Sequence, residues 1–441
     1  MLDTGGKPDV LITAGPHETL AQPQLVGDGR TLLYAIRAGR TFNEGQIVVQ
    51  PIDGGERRVL VEGGTDARVV STGHLIWMRD DIVYGQPIDL GTLRLAGGPV
   101  AVIEGVRLGN NSGAGQYSVA DNGTIVYAPG SSDAGRDLVW VDRSGHEEPT
   151  GAPAQSYTYP RVSPDGTRVA AATTDGDEDL WIWDFGRKTM TKLTAGPDMD
   201  TYPVWTPDSR SIVFRSGPAG GSSDVYRRAA DGTGTLERLT NSPDSKSPQM
   251  VLADGQRVLV RTTSTDNTPS GTMQILPLKP GAPATPVLPK LKEVNAEISP
   301  DGRWILYQSS EGSTHDEIHV RPFPDTDAGH WQISSGGGSR PLWSRTGREI
   351  FFLGSSTTSS ELLRVEVEPT PVGGSFRYGT ASALFSLAPY IRGGLGRSWD
   401  ISIDDKRFLV VKPTGVNLQT HDSINVVTHW FDELAAQVRA K

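Results

Sequence analysis

The hydrophobic positions of this chain repeat at fixed distances from short polar turns. The last positions of these turns are residues 29, 73, 123, 166, 209, 255, 302, 347 and 405. Four residues before them stand Leu25, Val69, Val119, Val162, Trp205, Val251, Ile298, Trp343 and Ile401. Three residues after them stand Leu32, Ile76, Val126, Val169, Ile212, Val258, Ile305, Ile350 and Phe408. Because every flanking position is apolar, the pattern predicts nine hairpins that each bury one face.

The turns themselves have the chemistry of a tight connection between antiparallel strands. The clearest copies read Ser-Pro-Asp-Gly, at residues 163–166 and 299–302, and the others are degenerate. Pro presets the first corner, Asp bonds to its own backbone two residues on, and Gly accepts the left-handed conformation that follows. The turns recur every 43 to 50 residues, except for a last step of 58.

Further strand-like runs follow the hairpins within each repeat. Third strands are predicted at 138–141, 179–183, 224–226 and 317–320, and fourth strands at 58–61 and 190–194. Four strands in a repeat of this length are typical of a β-propeller blade, and the three- and four-residue spacing of a helical repeat is not present. The sequence therefore predicts an all-β propeller of nine four-stranded units.

The closure of the propeller depends on which strand completes the last unit. The last unit has strands at 399–402, 407–411 and 424–430, and Asp9–Thr13 reads like its missing fourth strand. Such a pairing would leave no open edge, which predicts one nine-bladed ring over residues 1–430. The alternatives are a three-blade arc over 1–151 with a six-bladed ring over 152–430, or an eight-bladed ring with one irregular unit. Residues 431–441 are predicted to form a helix that caps the last blade, with Trp430, Phe431, Leu434 and Val438 on one side.

Composition narrows the functional classes. The net charge is -10 and there are no cysteines, so thiol nucleophiles, disulfides and Cys-ligated metals are excluded. Neither basic patches for nucleic acid nor an apolar run long enough for a membrane span is present. The first residues lack the basic start and apolar core of a signal peptide. We therefore expect a cytoplasmic protein, or a periplasmic one if the sequence is a segment of a longer chain.

The repeat resembles the TolB-like, WD-type class of propeller repeats. Longer stretches resemble the C-terminal propeller region of bacterial, acidobacterial-type serine/threonine protein kinases. These stretches are 68–75, 86–89, 140–145, 299–304, 320–324 and 430–434. The resemblance covers nearly the whole chain and implies a sensor or interaction domain that follows a kinase. That family usually has further blades upstream, so the resemblance also implies a segment of a longer signalling protein.

Catalytic motifs are incomplete in this sequence. Asp184-Phe185-Gly186 spells the magnesium-binding tripeptide of kinases, but no His-Arg-Asp loop or Gly-rich loop accompanies it, so we interpret it as a blade turn. A serine hydrolase would need a Gly-x-Ser-x-Gly elbow, which is missing. Gly393–Gly396 precedes a predicted strand rather than a helix, so a flexible loop is favoured over a phosphate cradle.

The sequence contains two candidate metal-ligand patterns, and both are incomplete. His315 and His319 would share a face on a helix, but here they fall in a loop and a strand. Asp175, Asp177 and Asp179 alternate like calcium ligands, yet the run lacks the glycine and glutamate of an EF-hand loop. We expect exposed histidines, a solvated acidic loop and no cofactor.

The mouth of the central channel is the predicted binding site. The residues that enter the innermost strands combine aromatic rings with mixed charges, which suit a peptide or small polar ligand. They are Tyr159, Arg161, Tyr202, Glu297, Arg340, Trp399 and Asp400. The alternative interpretation is that they only pack the strand entries.

Three functions follow from these observations. The first is a non-catalytic module that binds a protein, peptide or small ligand. The second is a propeller-type lyase or glycosidase with Glu297 and Asp400 at the channel mouth, which requires carboxyl groups within roughly 10 Å of each other. The third is an envelope assembly protein of the TolB type. No interaction with nucleic acid is expected.

Overall fold

Nine antiparallel sheets and one helix make up the described part of the molecule. The computed structural model describes residues 10–15, 18–27, 29–37, 45–109, 112–130, 135–174, 178–218, 221–264, 271–288, 294–354, 360–371, 373–392, 396–414 and 423–439. The predicted all-β fold with nine repeat units is confirmed. The chain divides into two compact units, residues 1–134 with 415–441, and residues 135–414. No helix among the described residues has the length and apolar character needed to span a bilayer.

The first unit contains three sheets. The first sheet is β1 (Thr19–Val26), β2 (Thr31–Arg37), β3 (Gln46–Pro51) and β4 (Arg58–Glu62). The second is β5 (Thr65–Val70), β6 (His74–Arg79), β7 (Ile82–Asp89) and β8 (Arg94–Leu95), with β9 (Val100–Ile103) also paired to β7. The third joins β10 (Tyr117–Val119) and β11 (Ile125–Tyr127) to β36 (Asn425–Val427), which lies near the end of the chain.

Helix α1 (Trp430–Arg439) belongs to the first unit. Trp430, Leu434 and Val438 are buried in one cluster with residues of β6, β7 and β9. The predicted apolar side of the helix is therefore correct, but its position on the last blade is not. The helix follows β36, and β36 pairs with β11, so the helix packs on the sheets of the first unit.

The second unit contains six sheets. The first sheet is β14 (Tyr157–Val162), β15 (Arg168–Thr173), β16 (Leu180–Asp184) and β17 (Thr189–Lys192), and the second is β18 (Met199–Trp205), β19 (Ser211–Gly217), β20 (Asp224–Ala229) and β21 (Glu237–Arg238). The third is β22 (Ser245–Val251), β23 (Arg257–Thr263), β24 (Gly271–Pro277) and β25 (Thr285–Pro286). The fourth is β26 (Val294–Ile298), β27 (Trp304–Ser309), β28 (Glu317–Pro322) and β29 (Trp331–Gln332). The fifth is β30 (Gly338–Trp343), β31 (Glu349–Gly354), β32 (Glu361–Glu366) and β33 (Ser382–Ser386).

The sixth sheet of this unit closes the ring. It has the order β34 (Trp399–Ile401), β35 (Arg407–Pro413), β12 (Arg136–Asp142) and β13 (Glu147–Pro149). Six separate hydrophobic clusters lie between successive sheets, and the last joins β12 and β35 to β14 and β15. Residues 135–414 therefore form a closed six-bladed propeller in which both ends of the segment share one blade.

This closure differs in detail from the predicted strand pairing. The sequence pattern places 138–141 in the third repeat and 424–430 in the ninth. In the structure the first of these strands belongs to the sheet of the ninth repeat, and the second belongs to the sheet of the third. Residues 136–142 pair along their whole length with 413–407, whereas β36 pairs with β11. The four residues Leu138–Val141 are all buried, so this strand has apolar side chains on both faces and suits an inner position between two cores. Of Asp9–Thr13, residue 9 lies outside the described residues, and 10–13 are not in a strand.

The predicted hairpin faces hold in the second unit. Its facing pairs are Val162 with Val169, Trp205 with Ile212, Val251 with Val258, Ile298 with Ile305, Trp343 with Ile350, and Ile401 with Phe408. All twelve side chains are buried. In the first unit only Ile76 of the six predicted positions is buried, and Leu25 is 57% exposed. Val69 and Val119 face Leu75 and Ile125, one residue earlier than predicted, and such a slip turns a side chain to the opposite face.

The turns form as their sequence predicts. In the first copy, the Ser163 hydroxyl donates to Asp165 Oδ1 at 2.6 Å, and the Thr167 N–H donates to the same oxygen at 3.0 Å. Gly166 has a φ of 71°, in the left-handed region that favours glycine. Equivalent bonds recur at Ser299 with Asp301, Thr206 with Asp208, and Ser402 with Asp404. The repeated turn is thus a structural device that fixes the ends of the innermost hairpins.

Candidate functional site

Four of the six innermost strands of the ring have a residue in the left-handed backbone region, seven positions before the last residue of the turn. Tyr159, Tyr202, Asn295 and Arg340 have φ between 51° and 54°, and each lies at a bulge in its strand. The equivalent residue of β22 is Pro248, whose ring excludes positive φ. A bulky residue in this region costs on the order of 1–3 kcal/mol, so its neighbours must hold it there.

Tyr159 and Tyr202 hold each other at this level of the ring. Their rings stack with centroids 4.2 Å apart, and their hydroxyl oxygens are 3.2 Å apart. A side chain at Gly396 would come within 2.7 Å of the Tyr202 ring, so only glycine fits beside the pair. Arg340 lies at the same register position in β30, and burial lowers its pKa. These three predicted residues therefore form a group that is separate from the turns.

Glu297 and Asp400 link neighbouring blades. Each stands five residues before the last position of its turn, and each accepts a backbone N–H from the next innermost strand. Glu297 Oε2 accepts from Trp343 at 2.8 Å, and Asp400 Oδ2 accepts from Val162 at 2.8 Å. At the same register position Met250 Sδ accepts from the Ile298 N–H at 3.0 Å. The carboxylates thus have a structural task at this position.

A cavity of about 380 Å³ opens at the turn end of the ring axis, with lining residues from all six blades. Five of the six turns of the ring place their second residue at the rim: Pro164, Pro207, Ala253, Pro300 and Arg345. Trp205 and Trp343 add apolar walls farther in. The rim is therefore apolar except at Arg345, where the degenerate turn Ser344-Arg345-Thr346-Gly347 has replaced the proline.

The guanidinium groups of Arg161 and Arg397 meet two carboxylates deeper in this cavity, below Arg345 at the rim. Arg397 lies 4.0 Å from Glu297 Oε2 and 3.6 Å from Asp400 Oδ1, and Arg345 lies 3.8 Å from Asp400 Oδ2. All three separations are too long for hydrogen bonds. Arg397 instead donates to the carbonyl oxygens of Trp399 and Pro341. The cluster therefore leaves guanidinium N–H groups available beside the open space.

Arg161 is the most constrained of these cations. It donates from Nη1 to the carbonyl oxygens of Pro160 at 2.7 Å and Arg397 at 2.9 Å. Its Nε is shielded from solvent and has no hydrogen-bond partner. Burial, reinforced by the neighbouring positive charge of Arg397, lowers the pKa of Arg161 to about 9. Burial likewise raises the pKa of Glu297. Both shifts reflect charges that are poorly solvated and incompletely balanced.

The structure divides the predicted channel residues into three groups. Arg161, Glu297 and Asp400 line the cavity, whereas Tyr159, Tyr202 and Arg340 belong to the bulge level. Trp399 is buried in the core between the fifth and sixth blades of the ring. The sequence did not predict Arg345, Arg397, Trp205 or Trp343 as cavity residues. Arg345 carried a signal, because it is the one charged residue at the second position of the ring's repeated turn.

The weaker candidates have local partners. Asp179 is buried and pairs with Lys192 at 2.7 Å, while Asp175 and Asp177 lie outside the described residues. His315 contacts Glu317 at 3.0 Å, and His319, which is buried rather than exposed, contacts His330 at 2.9 Å. Among the residues that the structure describes, no group of three His, Asp or Glu side chains is arranged for a metal ion.

The remaining motifs are turn and loop elements. Asp184 Oδ1 accepts the N–H groups of Gly186 and Arg187, so Asp184-Phe185-Gly186 is the predicted turn after β16. Residues 393–395 of the glycine-rich segment lie outside the described residues.

The central part of the chain matches a known protein family. The family model of the TolB β-propeller domain matches residues 110–346, which is just over half of the chain. This chain belongs to the TolB β-propeller domain family. The TolB-like part of the sequence resemblance is thus confirmed, whereas its link to kinases stays a prediction. The uncharacterised peptidase YuxL of Bacillus subtilis strain 168 is 30% identical over 112 residues, or 24% of this chain and 17% of the relative. The chain therefore spans less than a fifth of that relative's length.

Solved structures of TolB proteins are similar to this chain. A protein assigned as TolB in Agrobacterium tumefaciens matches with a TM-score of 0.50 and 17% identity, covering 64% of this chain and 99% of its own. TolB from Acinetobacter baumannii matches with a TM-score of 0.43 and 12% identity, covering 77% of this chain and 78% of its own. At these identities the first likeness establishes the propeller architecture and no function.

Proposed function

We propose that residues 135–414 form a non-catalytic binding module that takes a peptide or a small polar ligand into the axial cavity. The observation that carries this proposal is the cavity itself, which all six blades line and which combines apolar walls with convergent polar groups. Ligand sites of proteins commonly have this character and span roughly 300–1,000 Å³. A volume of about 380 Å³ favours a short peptide or a small molecule over a folded domain.

The partners of the two carboxylates support binding over catalysis. Glu297 and Asp400 both lie near Arg397, but each already accepts a backbone N–H from the next blade. A carboxylate that exchanges protons with a substrate would have to give up part of that link. We therefore assign the pair to blade cohesion and to charge balance within the cavity.

The larger biological role is part of the same proposal. The resemblance to kinase-associated propellers supports a sensor module in a bacterial signalling protein, and membership of the TolB family supports a protein or peptide ligand.

The module can be tested by closing the cavity at its rim. Ala253 is an exposed lining residue, so A253W should fill the mouth without disturbing a core. Thr235 is equally exposed in the loop between β20 and β21, away from the cavity, so T235W is the matched control. The full chain is incubated with a random tripeptide library and a panel of small polar metabolites, and bound compounds are identified by mass spectrometry. We expect retention by the wild type and by T235W, and at least a tenfold loss with A253W. Retention of nothing by the wild type, or equal retention by A253W, would contradict the proposal.

A further inference from the structure

The charges of the axial cavity do not balance, and this imbalance bears on which ligand fits. Arg161, Arg345 and Arg397 face Glu297 and Asp400, so the cluster carries an excess of one positive charge. The remaining charged lining residues, Arg257 and Asp254, pair with each other at 2.6 Å. A partly desolvated site with a surplus cation favours the entry of an anionic group.

The hydrogen-bonding state of the guanidinium groups points in the same direction. Each carboxylate commits one oxygen to a backbone N–H, and neither is within hydrogen-bonding distance of a guanidinium group. A planar oxyanion suits the guanidinium groups of Arg345 and Arg397, which are not hydrogen-bonded to either carboxylate, because guanidinium groups bind carboxylates through two parallel hydrogen bonds.

The other lining residues indicate what kind of group the oxyanion is attached to. Apart from Arg345, the lining rim is three prolines and an alanine, and Trp205 and Trp343 stand behind it. These walls suit an apolar or peptide body and offer no second cationic cluster for a dianion. The single charged rim position lies beside Asp400, so the anionic end of a ligand belongs on that side of the opening.

We propose that the axial cavity recognises a single carboxylate at the end of a short chain, foremost the free C-terminus of a peptide, through Arg161, Arg345 and Arg397. This inference rests on the proposed binding function and specifies its ligand class. Arg345 guides the carboxylate at the rim, and Arg161 and Arg397 hold it farther in. The two tryptophans contact the side chain of the last residue.

The decisive experiment changes the ligand rather than the protein. Random tripeptides with a free C-terminal carboxylate are compared with the same peptides as C-terminal amides, in binding to the full chain measured by calorimetry. We expect the amides to bind at least tenfold more weakly, because they lose the charge-assisted bonds. Hexanoate is included as a carboxylate without a peptide bond. If hexanoate binds as tightly as the tripeptide acids, recognition of a single carboxylate is supported and small acids are identified as its ligands.

A protein-side variant provides the matched control. R345Q removes the rim charge from an exposed side chain, and R348Q removes an equally exposed charge three residues along, outside the cavity. We expect R345Q to weaken binding of the tripeptide acids severalfold and to leave binding of the amides unchanged. R348Q should change the binding of neither set. Equal binding of acids and amides would overturn the carboxylate inference while the binding function stands. Binding of neither set would overturn both.

Discussion

Replacing Asp400 by alanine is expected to destabilise the six-bladed ring by about 3–5 kcal/mol, the usual cost of removing one partner of a buried charge cluster. Asp400 is 2% exposed. Its loss leaves the Val162 N–H without its acceptor and leaves Arg345 and Arg397 without their nearest shared negative charge. The affected link joins the sixth blade to the first, so it acts where the ring closes.

The variant D400N separates the contribution of the hydrogen bond from that of the charge. D400N keeps an oxygen that can accept the Val162 N–H but removes the charge, so its loss of stability should be smaller than that of D400A. The suitable measurement is urea unfolding monitored by hydrogen-exchange mass spectrometry, because it gives the exchange protection of peptides from each compact unit separately. Peptides from residues 135–414 should lose protection at lower urea. Unchanged protection in D400A would show that the carboxylate contributes nothing to the closure.

Replacing Trp430 by alanine is expected to have a similarly large effect on the other unit. Trp430 is 1% exposed and lies in a cluster with Leu434, Val438 and residues of the second and third sheets. Truncating a buried tryptophan costs about 3–5 kcal/mol through lost burial and the remaining cavity. Because α1 and β36 reach this unit from the far end of the chain, their release should also expose β11.

The control for this prediction lies on the same helix. Ala436 is exposed, so A436K changes the charge of the helix without touching the cluster. We expect W430A to lower the urea midpoint of peptides from residues 18–130, with little effect on residues 135–414, and A436K to leave both unchanged. Equal loss in both units, or no loss in either, would contradict the assignment of the helix to the first unit.

The repeat was predictable because one structural requirement recurs nine times. Each hairpin needs an apolar residue on both sides of a turn, and the Ser-Pro-Asp-Gly chemistry marks that turn. The partner of each end strand was less predictable. The strands at 136–142 and 425–427 are both short runs rich in apolar residues, and only the full seven-residue ladder with β35 and burial on both faces distinguish them.

The candidate site was predictable only in part. Arg161, Glu297 and Asp400 follow from their register in the innermost strands, whereas Arg397 follows from no repeat position, because it lies in the long insertion before β34. Tyr159, Tyr202 and Arg340 were grouped with the cavity residues because sequence register does not reveal the bulge that separates the two levels. Composition and spacing predict the scaffold. The charge cluster could not be predicted, because Arg397 comes near Glu297 and Asp400 only in the closed ring.

The closed ring is the claim on which the cavity and its ligand depend, and one cross-link tests it most directly. Asp137 and Lys412 face each other across β12 and β35. Opposite residues in an antiparallel pair have Cα atoms about 4.5–5.5 Å apart, within the range that a disulfide spans. The chain has no cysteine of its own, so D137C/K412C introduces the only two thiols. The closed ring predicts an intramolecular disulfide in nearly all molecules under mild oxidation, visible as the loss of both free thiols and a faster-migrating monomer. Two persistently free thiols in folded protein would contradict it.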